Sequence, residues 1–140
     1  MAEIDSLSVT LQVTVEHWEI MKTEVARCFP REGCGLIAGR FGRAEAVIPM
    51  KNVAERSDRF LVEPVELVRF FNWVEMERLD LIGIFHSHPF GPQTPSLIDI
   101  EDFAYPGVIS VIWFPGKEDW SARAYLIQNE TYQDVFMLRV

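Results

Sequence analysis

Residues 81–85, Leu-Ile-Gly-Ile-Phe, form an apolar run that leads straight into His86-Ser87-His88-Pro89. A run this short, rich in isoleucine and capped by an aromatic residue, reads as a buried strand. Alternate residues of a strand point to one face, so His86 and His88 project two imidazoles side by side from its end. The rest of the chain has to supply the layers that bury this strand.

Those layers are legible. Residues 9–15, VTLQVTV, alternate as a strand does, and residues 16–29 follow with Trp18, Met21, Val25 and Cys28 at helical spacing until Pro30 stops them. CGLIAG, a turn over Arg40–Arg43 containing Gly42, and AEAVIPM predict a hairpin. A short strand is expected around RFLV at 59–62, then a helix opened by Pro64 with Leu67, Val68, Phe71 and Val74 as its apolar face. Beyond the histidines, Thr94-Pro95 reads as a helix start, with Thr94 as cap and Pro95 at the first helical position. VISVIWF, ARAYLI and residues 132–138 complete the strands. The expected architecture is α/β, a mixed curved sheet of six to eight strands flanked by two or three helices. At 140 residues, 49% of them apolar, the chain is expected to form one domain over 1–140, with enough core to exclude wholesale disorder.

Charge and cysteine content exclude several functions. Thirteen basic residues against 21 acidic ones give a formal charge of −8, and Arg40, Arg43, Arg56, Arg59, Arg69 and Arg78 form no stripe. A nucleic-acid backbone needs clustered cations, so no nucleic-acid partner is expected. No apolar run approaches the roughly 20 residues that cross a bilayer. The start, MAEIDSLSVT, lacks a basic segment followed by an apolar one, so a cytoplasmic, membrane-free protein is expected. Cys28 and Cys34 make no C-x-x-C pair; their spacing permits a local disulfide, but a reduced compartment leaves two small, partly buried thiols.

Two imidazoles from one strand end suit two nitrogen ligands of a zinc ion. If a helix opens near residue 95, Ser96 and Asp99 share a face of its first turn, and the turn-rich F-G-P-Q-T-P connector could fold that face over the histidines. His86, His88 and Asp99 would then surround a metal and leave a fourth position for water, the mark of a catalytic site. Such a metal brings the pKa of its water to about 7 and polarises a carbonyl. A general base is still required, and Ser96 could donate to the oxyanion of a tetrahedral intermediate. Glu32, at the entry to GCGLIAG after a Pro-Arg break, is a candidate base, although spacing alone does not single it out among the acidic residues. Plainer readings stand beside these. Two strand histidines can be packing residues, Ser96 and Asp99 both suit a helix N-terminus, and Glu32 can be a surface carboxylate. His17, in the first helix, reads as a surface or boundary residue.

The whole pattern resembles the JAMM metalloprotease motif of the MPN domain family. That motif joins an upstream Glu to His-Ser/Thr-His-Pro and then Ser-x-x-Asp, with seven residues between the second His and the Ser; here the gap is Pro89 to Pro95, followed by Ser96-Leu97-Ile98-Asp99. EGCGLIAG also looks like the family's upstream strand, and the likeness runs from about Thr10 to Ile127. It implies a cytidine-deaminase-like MPN fold with one zinc ion per chain, held by His86, His88 and Asp99. It implies Glu32 as base and proton shuttle, and Ser96 as oxyanion donor. It further implies hydrolysis after the C-terminal Gly-Gly of a ubiquitin-like or sulfur-carrier β-grasp protein, as in the small prokaryotic members, since no room exists for a long insertion after Asp99. A Gly-Gly tail could bind by adding a strand at a sheet edge.

Other zinc hydrolases fit less well. A deaminase needs H-x-E and P-C-x-x-C, metallo-β-lactamases use H-x-H-x-D-H, and an amidohydrolase barrel takes roughly 250 residues. Two alternatives stay open: an MPN-type module that binds a β-grasp partner without cutting it, and hydrolysis of a small molecule at the same centre. Oligomeric state is left undetermined.

Overall fold

The computed structural model describes residues 9–140. The first eight residues, on which much of the signal-peptide reading rests, lie outside the described residues. The elements run β1 (Thr10–Val13), α1 (Val15–Cys28), β2 (Cys34–Arg40), β3 (Arg43–Met50), α2 (Pro64–Glu77), β4 (Asp80–Ser87), α3 (Leu97–Asp102), β5 (Ile109–Pro115), β6 (Trp120–Gln128) and β7 (Thr131–Arg139). Among the described residues no helix is long and apolar enough to cross a membrane.

The sheet is mixed and flanked by three helices, as expected, and its curvature runs further than the sequence reading specified. It closes into a barrel in the order β1-β3-β2-β4-β5-β6-β7. Closure falls to β1, which pairs in parallel with β7 over Thr10↔Phe136 to Val13↔Arg139 and meets β3 at Gln12↔Arg43. Both contacts are remote in sequence, so no local pattern announces them. The β2–β3 hairpin forms as expected, and its two linking residues, Phe41 and Gly42, both have positive φ, which matches the right-handed twist of the flanking strands.

Two apolar layers sandwich the sheet. On one side Met21 and Val25 of α1 pack with Leu11, Ile37, Phe85, Val111 and Trp113. On the other, Phe70 and Val74 of α2 pack with Leu36, Ala38, Met50 and Ile84. Neighbours in sequence such as Leu36 and Ile37, or Ile84 and Phe85, therefore serve opposite layers, as strand alternation requires. At Gly35 the Phe85 ring of β4 lies directly over the β2 backbone: a Cβ there would lie 2.2 Å from the ring.

Three local expectations are corrected. The apolar face of α2 is Leu67, Phe70 and Val74; Val68 and Phe71 are 59% and 37% exposed. The helix carries apolar residues on both flanks, and the sheet selects the stripe rotated by about one residue. The segment around RFLV makes only an isolated bridge, Asn52↔Val62, rather than a strand. Helix α3 is capped by Ser96, not Thr94, and begins at Leu97. Ser96 and Asp99 bond reciprocally, side chain to backbone in both directions, at 3.0 and 2.9 Å. That capping box satisfies two N–H groups at once, which a Thr94 cap could not do in this frame. His17 likewise does more than sit at a boundary, because its Nδ1 accepts from Thr14 N–H to complete the capping box of α1.

Candidate metal centre

The site assembles where β4 ends. The strand geometry continues through the second histidine, since His88 N–H donates to the Trp113 carbonyl at 2.8 Å. Both imidazoles therefore reach the same side, with ring centroids 4.9 Å apart. The capping box of α3 turns Asp99 toward them. His86 Nε2 and His88 Nε2 are 3.1 Å apart, and Asp99 lies 3.2 Å from the first through Oδ1 and 2.9 Å from the second through Oδ2. Four ligand atoms at about 2.0–2.1 Å from a tetrahedral zinc stand about 3.3–3.4 Å from one another. The observed triangle is close to that size.

Its surroundings also suit a metal. His88 Nδ1 lies 2.8 Å from the Pro92 carbonyl, which holds a proton on Nδ1 and leaves Nε2 as the nitrogen a metal would take. Glu32 comes from the entry to β2, and donor atoms of Glu32, His86 and His88 all lie within 4.8 Å of one another. Glu32 is 5% exposed, and its Oε1 is buried without a hydrogen-bond partner. The donor set, two imidazoles and a carboxylate with a second carboxylate nearby, fits a zinc ion.

Burial sets the charges. It lifts the Glu32 carboxyl to about 8, with the Asp99 charge adding to the rise and His88 opposing it. Burial pushes the His86 imidazole down. It also opposes charging of His88, but hydrogen bonds to Asp99 and the Pro92 carbonyl outweigh it and leave His88 raised. For Asp99 burial pushes upward, yet the hydrogen bonds from His86 and His88 hold the carboxyl well below the usual range. A protonated Glu32 and an ionised Asp99 thus face each other across two imidazoles, their environments driving the two carboxyls apart.

The structure brings Glu32, His86, His88 and Asp99 together. It places Ser96 at the rim, its Oγ accepting from Asp99 N–H. Three participants escaped the sequence reading. Phe60 stacks on His86 with centroids 4.5 Å apart, and walls a cavity of about 350 Å³ together with Leu61, Leu67, Ile98 and Tyr105. Tyr125 donates its hydroxyl to the Gln93 carbonyl at 2.7 Å, tying down the connector between His88 and α3. Ser87, between the histidines, accepts from Gly33 N–H at 2.8 Å. Only Ser87 carried a signal, because alternation turns it to the face opposite the imidazoles.

Comparison with known proteins gives the lineage. A family model described as prokaryotic homologs of the JAB domain matches residues 14–128. The chain is 40% identical over 85 residues to a Thermus thermophilus protein named "Probable TtuB-protein conjugate cleaving protease", covering 60% of this chain and 57% of that one. It is 30% identical over 100 residues to the desampylase of Pyrococcus furiosus, covering 71% and 69%. In fold it is similar to a solution structure from Desulfitobacterium hafniense, with TM-score 0.82, 24% identity and coverage of 94% and 92%. It is also similar to a JAB1/MPN domain protein from Archaeoglobus fulgidus, with TM-score 0.58, 15% identity and coverage of 91% and 99%. The family match covers most of the chain, from α1 through β6, and includes every residue of the centre, and on that ground the chain belongs to the small prokaryotic branch of the JAMM/MPN (JAB-domain) family.

Proposed function

We propose that the protein is a zinc-dependent isopeptidase or peptidase that cleaves after the C-terminal Gly-Gly of a ubiquitin-like or sulfur-carrier β-grasp protein. The observation that carries this reading is the orphaned, buried Oε1 of Glu32 beside a triangle of donor atoms from His86, His88 and Asp99. The names of the Thermus and Pyrococcus relatives favour a protein conjugate as substrate over a small molecule.

A zinc ion bound by His86, His88 and Asp99 would supply Lewis acidity and an acidified water. With that cation beside it, Glu32 would be held ionised against the burial that lifts its carboxyl to about 8 in the metal-free site, and its Oε1 would take the water's proton and return it to the leaving amine. Ser96 already accepts from Asp99 N–H, so its own O–H is free to donate to a developing oxyanion. The rings of Phe60 and Tyr105 help wall the cavity beside His86 and restrict water there. For the tail, β3 offers an edge: it meets β1 only at Arg43, and its far end, Met50, lies one strand away from His86 through Cys34. An extended Gly-Gly segment could add to that edge by main-chain hydrogen bonds. We read the chain as one domain, and the two free thiols, Cys28 and Cys34, favour a cytoplasmic setting.

The test is cleavage of a Gly-Gly-tailed β-grasp protein extended by a short peptide, with zinc, with chelator, and with Glu32→Gln. Zinc-dependent cleavage after the second glycine, lost in both controls, supports the reading. A folded, zinc-loaded protein that binds the β-grasp protein without cutting it would replace it with a binding module.

A further inference from the structure

Glu32 is followed by a glycine for a steric reason. A Cβ at Gly33 would stand 3.0 Å from the Val25 Cα and 3.3 Å from the Glu24 carbonyl, because α1 crosses the chain closely there. Glycine solves that crowding but brings the loosest backbone in the repertoire to the residue next to the base. Something else must hold the Glu32–Gly33 peptide.

Two side chains from separate elements grip that single peptide unit. Its carbonyl, Glu32 O, accepts from Asn52 Nδ2 at 2.9 Å. Its N–H, on Gly33, donates to Ser87 Oγ at 2.8 Å. Ser87 is fully buried, and its own N–H donates to the Gly33 carbonyl at 3.0 Å, so Gly33 is bound at both of its backbone groups by one residue. The orientation of the Asn52 amide follows from its other contacts: Oδ1 accepts from Ala54 N–H at 2.9 Å and Leu61 N–H at 3.0 Å, which leaves Nδ2 facing Glu32. Through Leu61, Asn52 also braces the loop whose Phe60 lies on His86.

We infer that Ser87 and Asn52 are positioning residues for the base. Together they fix the plane of the Glu32–Gly33 peptide, and with it the direction in which the Glu32 side chain leaves the backbone toward the metal ligands. This rests on the proposed hydrolysis for its catalytic consequence, but not for the geometry itself. Ser87 ends β4 between His86 and His88, so the base is referenced to the same stretch of chain that presents both histidines.

The test compares wild type with Ser87→Ala, Ser87→Thr and Asn52→Asp. Aspartate keeps an oxygen for Ala54 and Leu61 but loses the donor to Glu32. Three quantities are read: hydrogen exchange of the Gly33 amide, zinc content after loading, and kcat and KM on the peptide-extended Gly-Gly β-grasp protein. Ser87→Ala should expose the Gly33 amide to rapid exchange and lower kcat by about 100-fold, the cost of a base misplaced by an ångström or so. KM and zinc content should stay near wild type, and Ser87→Thr should restore both protection and rate. Asn52→Asp should lower kcat while leaving Ala54 and Leu61 protected. Wild-type kcat in both Ser87→Ala and Asn52→Asp would overturn the inference, as would a loss that tracks zinc content or KM. If zinc-loaded wild type itself cuts nothing, the hydrolytic reading falls. A crystal structure of Ser87→Ala then decides this one, because an unmoved Glu32 carboxylate would refute it.

Discussion

The Nε2 atoms of His86 and His88 stand 3.1 Å apart although the residues are only 1% and 6% exposed. Two imidazole nitrogens that close, with Asp99 against both, form a set of bases that a cation satisfies better than a shared proton. Zinc should therefore raise the melting temperature of the protein, by a stabilisation of about 2.7 kcal/mol at a free concentration a hundredfold above Kd. Chelator should reverse the rise, and His88→Ala should abolish it. Thermal melts with elemental analysis check all three outcomes.

Glu32 should weaken the metal-free fold as pH rises. Its folded pKa, about 8, exceeds its ordinary value, so between roughly pH 4.5 and 8 the folded state binds more protons than the unfolded one. The stability it contributes is complete below that window and is lost as pH climbs through 8. Glu32→Gln removes the dependence. Metal-free variant and wild type should match in stability near pH 4, with the variant ahead by on the order of 3 kcal/mol at pH 9. Urea unfolding at the two pH values reads the difference directly, and parallel curves would refute the assignment.

Ser96 has a structural duty that can be separated from a chemical one. Ser96→Ala removes the cap of α3 and should cost about 1 kcal/mol of stability, with looser zinc binding because Asp99 loses its reciprocal partner. Ser96→Asp can still cap but has no hydroxyl proton to give. It should keep most of the stability and lose about 100-fold or more in kcat. Equal kcat in Ser96→Asp and wild type would leave Ser96 as a cap alone.

Gly35→Ala tests the close approach of β2 and β4. The added methyl would fall 2.2 Å from the Phe85 ring and 2.6 Å from the Ile48 carbonyl. A loss of about 3 kcal/mol or more is expected. Phe85→Leu in the same chain should recover part of that loss, which a double-mutant cycle measures.

What the sequence revealed and what it hid divide along a physical line. The strand into the histidines, the β2–β3 hairpin, α1 and the Pro64 start of α2 are all local patterns, and all appear close to where they were expected. Glu32 is different, since it reaches His88 only because β2 and β4 pair with Cys34 opposite His86. No spacing rule encodes that register, and only the family resemblance singled the residue out. The face of α2 was misread because Val68 and Phe71 look as apolar as Leu67 and Phe70, and the sheet beneath makes the choice. Thr94 lost the cap of α3 to Ser96 because a reciprocal pair outweighs a single hydroxyl. Asn52 gave no signal of any kind, since an asparagine in a loop has the same appearance whether it faces solvent or a peptide.

The seam between β1 and β7 has a kinetic consequence. Thr10 can find Phe136 only after nearly all of the intervening chain has been synthesised, so the barrel stays unsealed for most of translation. Until then β1 is held only at Gln12↔Arg43 of β3 and β6 presents a bare edge, the kind of surface that recruits another copy. The last strand to arrive completes the cylinder and removes that hazard in one step. Damage to β7 should therefore show itself first as aggregation during synthesis, before any loss at the metal centre some distance away can be felt.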